Sequence, residues 1–268
     1  MLLESHWILS FLLLGSFVGF MAGLFGIGGG GIMVPVLTTL FIYQGTPVEK
    51  VVHLALGTSM ASIIVTSVSS MRAHYAKDAI LWPIVKVMAI GIILGTFIAT
   101  FVAVNISSIY LALFFSLFMA YVSIQMFLDK KPKPSRTLAG NGGLFLAGSG
   151  IGAISALVSI GGGSLTVPYL LWQNVDIKKA IGTSAALGFP ISVVGTLGYI
   201  INGWSVTTGE VFTFGFVYIP AVVLISATSF ITAPYGARLA HKLPVKTLKK
   251  VFALLLILLS MKMLFSIL

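Results

Sequence analysis

GFMAGLFGIGGGGIMVPVL at residues 19–37 and GAISALVSIGGGSLTVPYL at residues 152–170 align without a gap. Gly28, Gly29 and Gly30 match Gly161, Gly162 and Gly163, and Pro35 matches Pro168. Further along, Gly57-Thr58-Ser59 matches Gly182-Thr183-Ser184, and Gly95 in ILGTFIA matches Gly236 in PYGARLA. Three matched motifs in the same order mark an internal duplication. The chain divides into a first half at 1–128, a basic linker at 129–137 containing KKPKP, and a second half at 138–268.

Composition says what surrounds these motifs. Of 268 residues, 58% are hydrophobic and 8% charged, and the mean hydropathy is +1.09. Soluble domains carry roughly 25% charged residues, so most of this exterior must face lipid. A helical span needs about 20 apolar residues, which allows about eight to ten membrane segments and no soluble domain of useful size. Apolar stretches run near 6–25, 31–44, 50–71, 79–103 and 107–128, then 139–158, 164–174, 180–202, 211–234 and 250–268. No cleavable signal peptide is expected at the start, where Lys and Arg are missing and Glu4 is present. Without cysteine there is no disulfide, thiolate metal site or cysteine nucleophile.

The net charge of +10 is not a nucleic-acid footprint, because the charges cluster in short loops. Arg72 and Lys77 form one group, and Lys130, Lys131, Lys133 and Arg136 a second. Lys178 and Lys179 form a third, and Arg238, Lys242, Lys246, Lys249 and Lys250 a fourth. The positive-inside rule places all four in the cytoplasm. The loops near Asn105 and 203–210 carry no Lys or Arg and fall outside. Equivalent loops of the two halves therefore lie on opposite sides, the inverted arrangement found in many secondary transporters. It predicts both termini outside. It also requires the first two segments of each half to start and end on one side. The second member of each pair is short, so the expectation is a broken or re-entrant hairpin turning at Gly28–Gly31 and Gly161–Ser164, although full-length tilted helices stay open for the first half.

Irregular backbone inside a membrane must be buried in protein or line a wet cavity. Consecutive glycines expose amide N–H groups, and the start of a helix carries unsatisfied donors and a positive dipole end. Two inverted copies would aim two such ends at one central anion. Candidate binding residues are Gly28, Gly29, Gly30, Gly31, Thr58 and Ser59, with Gly161, Gly162, Gly163, Ser164, Thr183 and Ser184. The competing explanations are close helix packing for the glycines and bonding to their own helix backbone for the Thr-Ser pairs.

The paired motif, GLFGIGGGGIMVPVL and ALVSIGGGSLTVPYL each followed by GTS, resembles the sulfite exporter TauE/SafE family, one of the TSUP membrane transporters. The resemblance covers nearly the whole chain. It implies export or uptake of a small sulfur-containing anion such as sulfite, thiosulfate or an organosulfonate across a prokaryotic plasma membrane. The second copy departs from the first, with Ser159 for Gly26 and Ser164 for Gly31.

All six acidic residues map to loops or segment ends, so no mid-membrane carboxylate is available for a cation relay. His53 and Arg72 are the candidates for a proton or anion pathway, each with an interfacial or topological role as the alternative. His74 reads as an interfacial side chain. Trp82, Trp172 and Trp204 read as interfacial anchors, Pro190 and Pro220 as helix bends, and Pro35 and Pro168 as starts of the short helices. No catalytic residue, metal or cofactor is expected. The sequence-level reading is an all-α transporter of two inverted repeats, whose partners are lipid and a small anion. An anion channel, or a transporter of another small anion, is the alternative.

Overall fold

A computed structural model of the chain describes residues 4–25, 29–128, 137–206, 211–240 and 245–267. These form ten α-helices and one short β-ribbon. The helices are α1 (Ser5–Phe25), α2 (Gly30–Tyr43), α3 (Val48–Tyr75), α4 (Trp82–Val104) and α5 (Ser108–Leu128). The second half supplies α6 (Asn141–Val158), α7 (Gly163–Trp172), α8 (Ile177–Gly203), α9 (Ile219–Ala240) and α10 (Val245–Ile267). Eight of them are long and apolar enough to cross a membrane; α2 and α7 are the short ones. The chain is an all-α, multi-pass membrane protein. The linker residues 129–136 lie outside the described residues.

Burial runs opposite to that of a soluble protein. Large apolar side chains point outward, among them Ile98, Leu117 and Phe265, while Thr58, Ser59, Thr96, Thr100 and Thr183 are buried. Lipid is as apolar as leucine, so helices associate through close packing and internal polar contacts. α3 and α8 are the core pair. Lys50, near the start of α3, donates to Val206 O beyond the end of α8. Lys179, near the start of α8, donates to Asp78 O beyond the end of α3. The two equivalent helices are therefore antiparallel, and the halves are inverted.

The halves interlock. α1 packs against α9, and its equivalent α6 packs against α4, the equivalent of α9. The matched glycines make this possible. A side chain at Gly95 would collide with Ser149 O on α6, and one at Gly236 with Phe20 O on α1.

Two expectations are corrected. The segment placed at 211–234 does not begin as a helix: Thr213–Phe214 and Val217–Tyr218 pair as an antiparallel ribbon, and α9 starts at Ile219. Pro220 consequently sits in the first turn of α9, where no helix bond is lost, and bends nothing. Pro35 and Pro168 lie within α2 and α7 rather than at their starts.

Candidate functional site

At about 1.5 Å per residue, the 14 residues of α2 reach roughly 21 Å and the 10 of α7 roughly 15 Å. Neither crosses a hydrocarbon core of about 30 Å. Each starts from a left-handed glycine: Gly29 has φ 49° and ψ −16°, and Gly162 has φ 76° and ψ −21°. This region is open to glycine without steric cost, and in the second hairpin Ser159, at φ 49°, shares the turn with Gly162. Gly29 O accepts from the N–H groups of Ile32 and Met33, and Gly162 O accepts from those of Leu165 and Thr166. The preceding N–H groups, of Gly30 and Gly31 and of Gly163 and Ser164, have no partner among the described residues. The tips meet: a side chain at Gly30 would collide with Ser159 O in the other hairpin.

A cavity of about 380 Å³ leads to the second tip. Gly161, Ser184 and Gly188 line it, and α3 walls it from Ile63 to His74. Ala22, Gly23, Ala185, Ala233 and Pro234 complete the lining. Ala73, at the C-terminal end of α3, is exposed, so the cavity opens toward the end of α3, where Arg72 lies in the last turn and Lys77 just beyond it. Among the described residues its wall contains no Lys, Arg, Asp or Glu, and its polarity comes from Thr66, Ser67, Ser69, Ser70, Ser184 and His74. Around the tip, the buried hydroxyls of Ser59, Ser159, Ser164 and Thr166 have no hydrogen-bond partner among the described residues. An unpaired buried hydroxyl costs about 1–3 kcal/mol, and these four lie behind the cavity wall and not on it.

The candidate residues separate on this geometry. Gly161 and Ser184 line the cavity, and Gly162, Gly163 and Ser164 follow Gly161 at the turn. Gly29 and Gly30 are buried at the other tip, and Gly31 faces Met119 and Leu256. Gly28 lies outside the described residues. Thr58 Oγ1 accepts from Tyr218 N–H at 3.0 Å, and Thr183 Oγ1 accepts from Leu81 N–H at 3.0 Å. Both threonines thus hold the segment leading into a helix of the other half, α9 and α4 respectively. The glycine before each lets that segment approach, since side chains at Gly57 and Gly182 would collide with Phe216 O and Ala79 O.

His53 lies at the opposite end of α3 from the cavity. Its Nε2 is 3.0 Å from Ala103 O and its Nδ1 is 3.5 Å from Ser108 Oγ, with the Phe216 ring 5.2 Å away. It ties α3 to the α4–α5 turn. Arg72 is exposed and absent from the cavity wall, whereas His74, read as interfacial, lines it. Sequence reasoning passed over Thr66, Ser67, Ser69 and Ser70. Four hydroxyls in five residues of an otherwise apolar helix are the signal that marks them.

Paired half-length helices at the centre of two inverted, interlocked repeats, reached by a cavity with hydroxyls on its wall, define a membrane transporter. The chain belongs to the sulfite exporter TauE/SafE family, whose model matches residues 11–263. It is 37% identical to a probable membrane transporter protein of Haemophilus influenzae over 96% of this chain and 98% of that one. It is 28% identical to one of Methanocaldococcus jannaschii, over 89% and 88%. With YunE, a probable membrane transporter protein of Bacillus subtilis, it shares 26% over 94% and 96%. No solved structure matches the chain.

Proposed function

We propose that the protein is a secondary transporter of a small sulfur-containing oxyanion, sulfite, thiosulfate or an organosulfonate, in a prokaryotic plasma membrane. The halves 1–128 and 138–268 move against each other and expose the site to each side in turn. The observation that carries the reading is the cavity: five hydroxyls stand on its mostly apolar wall, no Lys, Arg, Asp or Glu lines it among the described residues, and it ends at the start of α7. Among the described residues the wall sets no carboxylate against an anion. Helix-terminal N–H groups and serine hydroxyls supply donors in its place. The basic loops put the cavity mouth in the cytoplasm and both termini outside.

The test is anion-specific thermal stabilisation of purified protein over sulfite, thiosulfate, sulfate and sulfonates, with chloride as control, followed by counterflow of labelled anion in proteoliposomes. Stabilisation by one sulfur anion with saturable counterflow is expected. Equal response to every anion, chloride included, would sink the substrate assignment. Flux without counterflow would make the protein a channel.

A further inference from the structure

The cavity has an equivalent place in the other half, and that place is shut. Gly23 and His74 both line the cavity. Six residues separate Gly23 from Gly29, and the residue six before Gly162 is Ala156. Sixteen residues separate Thr58 from His74, and the residue sixteen after Thr183 is Tyr199. Where Gly23 and His74 border open space, Ala156 and Tyr199 are joined: the Tyr199 hydroxyl donates to Ala156 O at 2.9 Å. Tyr199 is 0% exposed and is among the largest fully buried side chains. The neighbours repeat the contrast. Thr66 and Ser70 line the cavity and are half-buried, while their equivalents Ile191 and Gly195 are buried.

We infer that Tyr199 is the outer gate of the transport path: its ring fills the counterpart of the inner cavity, and its bond to Ala156 O holds that face closed. The inference rests on the alternating exposure proposed above. Inverted repeats exchange roles when the protein switches sides, so the outward-open state requires the Ala156–Tyr199 pair to part as the Gly23–His74 pair closes. A single neutral hydrogen bond suits this task. It is strong enough to bias the two states and weak enough to break on each cycle. His74, smaller than tyrosine and half-buried, leaves the inner face open in this structure.

The chain has no cysteine, so one introduced thiol reports one position. Ser70→Cys, on the cavity wall, reports the inner path and Gly195→Cys, its equivalent, the outer, read with a membrane-impermeant maleimide on intact cells and inverted vesicles. Tyr199→Phe should raise labelling of Gly195→Cys about fivefold from one face, the factor expected for losing one buried hydrogen bond. It should slow Ser70→Cys from the other face. His74→Tyr, which fills the inner cavity, should move both rates in the same directions and decides the matter alone if Tyr199→Phe does not fold. Unchanged rates in monodisperse protein would overturn the inference, and so would both rates rising together, which signals loosening. No substrate is used, so failure here leaves the anion assignment standing, and a failed anion screen leaves this result readable.

Discussion

The hydroxyl oxygens of Ser67 and Ser192 lie 3.5 Å apart. They are equivalent residues, each eight beyond the serine of its GTS triplet. A residue can approach its own counterpart so closely only beside the axis that relates the halves. The crossing of α3 and α8 therefore marks the centre of the molecule. The open cavity borders Ser67, and the closed Ala156–Tyr199 contact lies farther along α8 from Ser192.

The Thr58 and Thr183 caps should be equal in kind. Thr58→Val and Thr183→Val each leave a backbone N–H unpaired, at Tyr218 and Leu81 respectively. Each should cost about 1–2 kcal/mol, read as a lower melting temperature of detergent-purified protein. The double variant should lose about the sum, since the two sites share no residue. An unshifted melting temperature in either single variant would show that the cap is not holding the fold.

Glycines should divide by what their missing Cβ would meet. Gly95→Ala and Gly236→Ala drive a methyl into the backbone of α6 and α1, and should severely lower the yield of folded protein. Gly150→Ala on α6 meets nothing within 4 Å and should be neutral or stabilising, by up to about 1 kcal/mol. Equal tolerance at all three positions would refute the interlocked packing.

Gly162→Ala places a Cβ in the left-handed region, at about 1–2 kcal/mol of strain, with Ile191 Cδ1 2.9 Å away. Anion flux should fall roughly tenfold, a change equivalent to 1.4 kcal/mol. Gly142→Ala, with nothing within 4 Å, should leave flux unchanged. Ser184→Ala removes a donor from the cavity wall and should raise the anion concentration needed for half-maximal thermal stabilisation. Normal flux in folded Gly162→Ala protein would remove the second hairpin from the site.

The topology has a direct check. Ser266→Cys near the end of α10 should react with an impermeant maleimide in intact cells, and Lys77→Cys should react only in inverted vesicles. The reverse pattern would turn the whole assignment of faces over.

Much of this was legible beforehand. The duplication and about eight to ten apolar segments, with the second of each half short, follow from matched glycines, hydropathy and segment length, because lipid demands apolar helices with every backbone bond satisfied internally; the structure gives eight long enough to cross. Antiparallel placement of α3 and α8 followed from the loop charges. The ribbon at 213–218 was hidden, since Phe214, Val217 and Tyr218 carry the same apolar character as the helix that follows.

The candidate site was legible by motif and not by role. The matched triplets at Gly57-Thr58-Ser59 and Gly182-Thr183-Ser184 announced that something polar and symmetric occurs there. A sequence cannot say whether a threonine hydroxyl meets a ligand or a backbone N–H from 160 residues away. That depends on which half's loop lies beside it, and the interlocking of α1 with α9 and α4 with α6 settles this in space. Thus the sequence alone determined membrane class, duplication, inversion and the paired glycine turns, all of which rest on local periodicity and charge. Only the tertiary structure decided that the two threonines cap opposite helices, that the hydroxyls of 66–70 face a cavity, and that equivalent halves stand in unequal states. Identical folding rules acting on slightly different side chains, His74 in one half and Tyr199 in the other, leave one path open and the other filled.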